Sequence, residues 1–228
     1  MSYIKFKKTK IVATLGPGCG NKTMLSRLIK AGVNVFRINF SHATYEEVDR
    51  YVELIRSLNN ELNTNVAILA DLQGPKIRIG KMEDGVFFKK GDILILSTTK
   101  EIVGNKQKAS LSYKGFAKDV KIGDKILIDD GKLIFEVIST NKKDEVKLRN
   151  IQAGKLTSKK GVNLPNTKIS TPSLTKKDKQ DLLYAISKEL DWVALSFVRD
   201  ANDMINLRKI IEKESDEKIP IIAKIEKP

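Results

Sequence analysis

The segment 66-VAILAD-71 is apolar up to its last residue, an aspartate. An apolar run of this length is typical of a strand buried on both faces, which is how strands of parallel sheets are placed. The segments KIVATL over 10–15 and VNVFRINF over 33–40 precede it and are predicted to be buried strands of the same kind. We therefore expect the chain to be built around a parallel sheet.

Helices are predicted between these strands. Asn21 is placed to cap a first helix, which Gly32 ends. Thr44 and Glu47 have the spacing of a capping box at the start of a second helix. The second helix carries one apolar stripe at helical spacing, made of Val48, Tyr51, Val52, Ile55 and Leu58. Strands that alternate with helices in this way favour an α/β fold.

The pattern changes between Pro75 and Pro172, where short strands are separated by turns and no helical stripe is evident. The predicted strands lie in DGVFF, GDILILST, GDKILIDDG, KLIFEVIS and DEVKLRNI, and the turn signals are Gly91-Asp92, Gly123-Asp124 and Asp130-Gly131. We predict an all-β module inserted into the α/β domain. The expected boundaries are 1–74 and 172–228 for the two parts of the α/β domain, and 75–171 for the insertion.

The alternation of helices and strands returns after the insertion. DWVALSFV over 191–198 is predicted as the fourth strand, and IPIIAKIE over 219–226 as the fifth. One helix is predicted before the fourth strand and another between the fourth and fifth strands. The first is expected to be capped by Thr175 with Asp178, and the second by Asp200. Their expected core residues are Leu182, Leu183 and Ile186 in the first helix, and Met204, Leu207 and Ile211 in the second.

The composition is that of a globular domain, with 41% hydrophobic and 31% charged residues in 228. No apolar run could span a bilayer and the start has no secretory signal, so no membrane partner is expected. Cys19 is the only cysteine, which fits a reducing cytoplasm. The formal net charge is +14, but the lysines are scattered in doublets, as expected for a solvated surface.

Polar residues recur where the predicted strands end. They are Arg37, Asn39, Ser41 and His42; Asp71, followed by Lys76 and Arg78; Ser196 and Arg199; and Lys224 and Glu226. The carboxyl ends of parallel strands meet at one edge, where active sites are built. Lys224 and Glu226 are two positions apart, so we expect them on one face of the fifth strand.

These residue types suit a phosphorylated ligand. Arginine and lysine bind phosphate oxygens, and the carboxylates of Asp71 and Glu226 suit Mg²⁺. Together they indicate phosphoryl transfer. There is no Cys/His cluster for zinc, His42 is the only histidine, and GPGCG over 16–20 lacks the Lys-Ser/Thr ending of a P-loop.

The chain resembles the pyruvate kinase family over almost its whole length. The segments that carry the resemblance, in order, are TKIVATLGP, AGVNVFRINFSH, ILADLQGPKIRIG, GDKILIDDG, KKGVNLP, LTKKDKQDL, DWVALSFVR and IIAKIE. The resemblance implies a TIM-type barrel interrupted by an inserted β-barrel lid. It also implies transfer of the phosphoryl group of phosphoenolpyruvate to ADP, giving pyruvate and ATP.

The resemblance further implies roles for single residues. Arg37 would bind the substrate phosphate, Lys224 would stabilise the phosphoryl group in transit, and Glu226 would hold Mg²⁺ or Mn²⁺. The remaining implied residues are Asn39, Ser41, Asp71 and the carbonyl of Leu72 at a monovalent cation site, and His42, Arg78 and Lys160 at the nucleotide phosphates. The family is usually homotetrameric, and no nucleic acid partner is expected.

The sequence departs from the family pattern in two places. Potassium-dependent relatives typically carry Thr at the position of Leu72 and Glu at that of Lys76. A lysine ammonium is a tethered monovalent cation, so Lys76 is expected to replace K⁺ beside Asp71 and to make the complete enzyme independent of K⁺. The second departure is that five strands do not close an eight-stranded barrel. We therefore expect a fragment or truncated gene product that does not turn over by itself.

Two other functions remain open on sequence alone. A basic module could bind nucleic acid through phosphate contacts, with an affinity that falls steeply with salt. The chain could also belong to a different barrel that uses phosphoenolpyruvate, such as a lyase. Binding of ADP separates the first hypothesis, a kinase, from both alternatives.

Overall fold

The computed structural model describes residues 8–99 and 101–226. They form two compact units. The first, which we call the barrel unit, contains residues 8–75 and 173–226; the second, which we call the inserted unit, contains residues 76–172. Each unit has its own cluster of buried apolar side chains. The boundaries fall at Pro75/Lys76 and Pro172/Ser173.

The secondary structure elements are numbered in chain order. The strands are β1 (Val12–Thr14), β2 (Val35–Asn39), β3 (Ala67–Leu72), β4 (Phe87–Phe88), β5 (Ile93–Ser97), β6 (Lys108–Ser110), β7 (Lys125–Ile128), β8 (Leu133–Thr140), β9 (Glu145–Gln152), β10 (Gly154–Lys155), β11 (Val162–Asn163), β12 (Trp192–Leu195) and β13 (Ile221–Ala223). The helices are α1 (Lys22–Ala31), α2 (Tyr45–Leu62), α3 (Phe116–Asp119), α4 (Lys176–Ser187) and α5 (Ala201–Glu214).

The barrel unit contains one sheet with the strand order β1-β2-β3-β12-β13. Every neighbouring pair in this sheet is parallel, so the prediction of a parallel sheet is confirmed. Helices α1, α2, α4 and α5 follow the first four strands in turn, and the inserted unit lies in the chain between β3 and α4. All five strands therefore end at the same edge of the sheet.

The residues predicted to cap the helices do so in the structure. Asn21 accepts a hydrogen bond from the backbone N–H of Met24 at 3.0 Å, and Gly32 ends α1 in the left-handed conformation with φ of 103°. Thr44 and Glu47 form both halves of the capping box of α2. Four residues of the predicted stripe in α2 are buried, namely Val48, Tyr51, Ile55 and Leu58, and Val52 packs half-buried against the same core.

Two expectations about burial in the barrel unit are wrong. Strand β1 is not buried, because it forms an edge of the sheet, and Val12 is 53% exposed. In α4, Leu183 points outward and is 43% exposed, whereas Ala185 is buried. The helix therefore meets the sheet along a face rotated from the one that the apolar residues indicated. Its actual buried apolar residues are Leu182 and Ala185.

The inserted unit contains a six-stranded sheet in the order β11-β7-β8-β9-β5-β6, and a separate pair of strands, β10 and β4. All neighbours in the larger sheet are antiparallel except β5 and β6. Phe88, Phe116 and Phe135 are fully buried in its core. The expectation of a module without helices needs one correction, since residues Phe116–Asp119 form the one-turn helix α3.

In the described ranges, no helix has both the length and the apolar character that a membrane span requires.

Candidate functional site

Polar side chains from all five strands of the barrel unit form one connected chain of hydrogen bonds. Each strand provides a residue within three positions of its carboxyl end or just beyond it: Thr14 from β1, Arg37 from β2, Asp71 from β3, Ser196 after β12 and Lys224 after β13. The convergence follows from the parallel direction of the strands, which brings equivalent ends together. We call this set the polar rim.

Asp71 lies at the centre of the polar rim. Its Oδ2 accepts hydrogen bonds from Nε of Arg37 at 2.6 Å and from Nζ of Lys224 at 3.2 Å. The carboxylate side chain is only 3% exposed, while the two cations are 29% and 31% exposed. Both cations contact the same oxygen and still reach solvent. One small anion could therefore contact them both.

A hydroxyl group orients each cation. Thr14 Oγ1 accepts a hydrogen bond from the guanidinium of Arg37 at 2.9 Å. Ser196 Oγ accepts one from Lys224 Nζ at 2.9 Å and donates to the carbonyl of Leu72 at 2.7 Å. Ser196 is among the polar residues predicted at strand ends, although without a specific role, whereas Thr14 was missed. Thr14 is the last residue of β1, so the rule that selected the other rim residues could also have selected it.

Glu226 and Lys224 contact each other, but not in the way the sequence predicted. Strand β13 ends at Ala223, so the predicted fifth strand is too long and neither residue belongs to it. Lys224 Nζ lies 3.4 Å from Glu226 Oε1, and Glu226 Oε2 accepts a hydrogen bond from the backbone N–H of Phe197 at 3.1 Å. Phe197 itself has a φ of 57°, a conformation that is costly for an aromatic residue.

The residues that follow β2 lie beside the end of β3. Asn39 and Asp71 are partners in the register of these strands, and the N–H of Phe40 donates to the carbonyl of Asp71 at 3.1 Å. The side chain of Asn39 accepts a hydrogen bond from the N–H of Ser41 at 3.0 Å. His42 follows in the same loop and is exposed. The structure thus brings together Asn39, Ser41, Asp71 and Leu72.

Arg78 and Lys160 are close to each other in the inserted unit. Arg78 forms an antiparallel bridge with Gly161, and its guanidinium donates to the carbonyl of Lys159 at 2.9 Å. The ammonium of Lys160 donates to Asp129 Oδ1 at 3.0 Å, and this hydrogen bond is the main cause that lowers the pKa of Asp129. Lys76 also belongs to the inserted unit and is half-buried.

The available carboxylates fit a magnesium ion that takes most of its ligands from water or a phosphorylated ligand. The residues that the structure describes contain no group of three or more His, Cys, Asp or Glu side chains arranged to hold a metal. Glu226 is 34% exposed, with one oxygen near Lys224. Mg²⁺ commonly takes one or two protein carboxylates and completes its shell with water and substrate phosphates. Glu226 fits this pattern, whereas Asp71 is engaged with two side-chain cations.

Parallel strands with helical connections and a rim of cations and carboxylates at their carboxyl ends define an α/β-barrel domain suited to a phosphorylated ligand. The family model described as "Pyruvate kinase, barrel domain" matches residues 6–228. The chain belongs to this family, and the predictions of family and of a partial barrel are confirmed.

The curated relatives agree. The chain is 41% identical over 222 residues to pyruvate kinase of Staphylococcus haemolyticus, and 41% identical to that of Geobacillus stearothermophilus. Each alignment covers 96% of this chain and 38% of the relative, so the chain spans well under half the length of these proteins. A crystal structure of a pyruvate kinase from Cryptosporidium parvum superposes with a TM-score of 0.88 at 34% identity, covering 97% of this chain and 46% of that one.

Proposed function

We propose that the polar rim binds the phosphate of phosphoenolpyruvate between Arg37 and Lys224, and that the chain contributes to transfer of this phosphoryl group to ADP. The observation that carries the proposal is the shared contact of both cations with Oδ2 of Asp71. It keeps two positive charges close together at a partly exposed surface. Membership of the pyruvate kinase family favours this reaction over the nucleic-acid and lyase hypotheses.

The two cations suit different parts of the transfer. A bond forms between a β-phosphate oxygen of ADP and phosphorus, the bond from phosphorus to the enolate oxygen breaks, and the enolate carbon then takes a proton to give pyruvate. Negative charge spreads over the phosphoryl oxygens during this step, and fixed cations stabilise it. The planar guanidinium of Arg37 suits the bound phosphate, and the ammonium of Lys224 suits the moving group.

The cations of the reaction have candidate ligands. Glu226 would hold Mg²⁺ or Mn²⁺, which supplies charge neutralisation at the phosphate oxygens when bound. Asn39, Ser41, Asp71 and the carbonyl of Leu72 form the candidate monovalent site. Their proximity at the ends of β2 and β3 supports the assignment.

His42, Arg78 and Lys160 would contact the nucleotide phosphates. The bridge between Arg78 and Gly161 keeps two of these cations on neighbouring segments. Lys160 is held by Asp129, so we expect the phosphate to compete with this carboxylate for the ammonium.

The test is a calorimetric titration of the chain with phosphoenolpyruvate in the presence of Mg²⁺. Arg37→Met and Lys224→Met should each weaken binding by about tenfold or more, because a charge-assisted contact to phosphate is lost. Lys30→Met, at an exposed position at the end of α1, is the matched control and should bind like the unaltered chain. Equal affinity in all four proteins would contradict the proposal.

Independence from K⁺ is a separate proposal based on Leu72 and Lys76. We expect the affinity for phosphoenolpyruvate to be the same in tetramethylammonium buffer with and without KCl. Lys76→Glu should make binding dependent on K⁺, because it removes the tethered cation. Strong enhancement of the unaltered chain by KCl would refute the idea.

A cytoplasmic location and a homotetrameric assembly stay predictions, the first from the single cysteine and the second from the family resemblance. Analytical ultracentrifugation of the purified chain tests the assembly.

A further inference from the structure

The segment 175-TKKD-178 at the start of α4 contacts the two segments that follow β2 and β3, the strands at whose ends the candidate cation ligands lie. Lys177 Nζ donates to the carbonyl of Phe40 at 2.8 Å, in the loop after β2. Asp178 Oδ1 accepts a hydrogen bond from the N–H of Gly74 at 3.0 Å, in the segment after β3. Two adjacent residues of one helix therefore tie down two neighbouring strand ends.

Helix capping alone does not explain the contacts of Asp178. Its Oδ2 completes the capping box by accepting hydrogen bonds from the backbone N–H and the hydroxyl of Thr175, at 2.9 and 2.5 Å. The other oxygen, Oδ1, is used for Gly74. The residue is fully buried, so this second contact satisfies a carboxylate oxygen that water cannot reach.

Gly74 transmits this restraint to the rim. It has a φ of 68°, and a Cβ placed on it would lie 2.9 Å from the ring of Phe197 and 3.0 Å from the carbonyl oxygen of Ser196. The backbone of Gly74 is thus held between Asp178 and the Ser196-Phe197 turn. Ser196 in turn hydrogen-bonds Lys224 and the carbonyl of Leu72.

Lys177 is itself held in place. Its ammonium lies 2.5 Å from Asp181 Oδ2, and the other oxygen of this buried carboxylate accepts a hydrogen bond from the hydroxyl of Tyr45 at 2.9 Å. The carbonyl that Lys177 binds belongs to Phe40, which lies between Asn39 and Ser41. A fixed ammonium at this carbonyl restrains the positions of both candidate ligands.

We infer that Lys177 and Asp178 are positioning residues. They hold the ends of β2 and β3 and so fix the positions in which Asn39, Ser41 and Asp71 would bind a ligand. The inference deepens the proposed function and rests on it. Their role is to act through the backbone of Gly74 and Phe40. Loss of either contact should loosen the loops and weaken binding of phosphoenolpyruvate.

The experiment combines amide hydrogen exchange with ligand titration on the whole chain. Lys177→Met keeps the aliphatic stem and removes the ammonium, Asp178→Asn removes the charge at constant size, and the neighbouring exposed Lys179→Met is the matched control. We expect amide exchange in segment 38–43 to be about tenfold faster for Lys177→Met, and that in 72–75 for Asp178→Asn, as expected for loss of one charge-assisted contact. The dissociation constant for phosphoenolpyruvate should rise about three- to tenfold in both.

Rescue separates positioning from a merely structural role. Lys177→Arg retains a hydrogen-bond donor, so it should restore slow amide exchange in segment 38–43 and tight binding of phosphoenolpyruvate. The melting temperatures of the variants should stay close to that of the unaltered chain. The inference is overturned if exchange in the two loops is unchanged, or if it rises throughout the barrel unit in step with a lower melting temperature. Failure of the unaltered chain to bind phosphoenolpyruvate would count against the proposed function alone, because loop exchange still decides the positioning role.

Discussion

The barrel unit and the inserted unit use charged residues in different ways. In the barrel unit, parallel strands bring Arg37, Asp71 and Lys224 to one edge, where they contact each other around a buried carboxylate. In the inserted unit, ion pairs such as Arg149–Glu136 join neighbouring antiparallel strands at an exposed face. Exposed pairs of this kind contribute little to stability.

The distribution of charge along the chain follows the same division. Residues 76–172 contain 21 of the 42 Lys and Arg but only 11 of the 28 Asp and Glu, so most of the net positive charge lies in the inserted unit. Antiparallel strands point their ends in both directions and therefore do not gather these side chains at one edge. Strand direction, more than the number of charges, therefore concentrates charged side chains at one site.

The largest expected effects come from the two separate cores. Phe135→Ala in the inserted unit and Phe36→Ala in the barrel unit each remove a fully buried ring and should cost about 3–5 kcal/mol. Trp192 is the only tryptophan and lies in the barrel unit, so its fluorescence reports unfolding of that unit. We expect Phe36→Ala to shift this transition in urea, and Phe135→Ala to accelerate amide exchange in β8 and β9 without shifting it. Equal shifts of the tryptophan signal would show that the two units unfold as one.

Removal of the buried charge in the polar rim should have the next largest effect. Asp71→Asn leaves Arg37 and Lys224 close together without their shared anion, and should destabilise the barrel unit by about 2–3 kcal/mol. The measurement is urea unfolding followed by Trp192 fluorescence. Asp129→Asn in the inserted unit is the comparison variant and should leave this transition unchanged. A similar loss in both variants would remove the distinction between the rim and the half-buried Lys160–Asp129 ion pair of the inserted unit.

Substitution of two glycines with positive φ, Gly74 and Gly85, tests the effect of crowding around a turn. Gly74→Ala places a methyl group against Phe197 and Ser196 at a φ of 68°, and should cost about 1–3 kcal/mol in the free energy of unfolding. Gly85 in the inserted unit has a φ of 80° but nothing within 4 Å of its Cβ position, so Gly85→Ala should cost only about 1–2 kcal/mol of backbone strain. The finding that Gly85→Ala is the more harmful change would argue against crowding at Gly74.

The smallest expected effects are changes in stability at alkaline pH in the barrel unit and at acid pH in the inserted unit. Burial and then the hydrogen bond to Asp49 raise the pKa of Tyr184, which stacks on Tyr45 and lies near Lys188. A raised folded-state pKa means that the stabilisation is complete below pH of about 10 and is lost as the pH rises further. Tyr184→Phe should therefore flatten the alkaline decline in the melting temperature of the barrel unit.

The pKa of Asp129 in the inserted unit is shifted in the opposite direction. The hydrogen bond from Lys160 lowers its pKa, so the stabilisation is present above the unfolded-state value of about 4 and is lost as the pH falls. Asp129→Asn should make the stability of the inserted unit fall less steeply at acid pH and leave its fall at alkaline pH unchanged. Amide exchange in the inserted unit is the measurement. An unaltered acid profile would show that the ion pair does not contribute.

Much of the barrel unit could be predicted because its signals are local. The caps at Asn21, Thr44 and Thr175 depend on residues within three positions of each other, and the structure places all three as expected. The apolar segment 66–71 predicted β3 to within one residue at each end. Burial in α4 and at β1 could not be predicted in the same way, because it depends on which neighbours cover each face.

The sequence by itself determined the order of strands and helices in the barrel unit and the residue types at the strand ends, since both follow from local periodicity and capping. Only the tertiary structure decided that Arg37 and Lys224 share one oxygen of Asp71, that Thr14 and Ser196 orient them, and that Lys177 and Asp178 reach the loops after β2 and β3. These contacts join residues that are far apart in the chain. Their distances are set by strand register and helix packing, which no local pattern specifies.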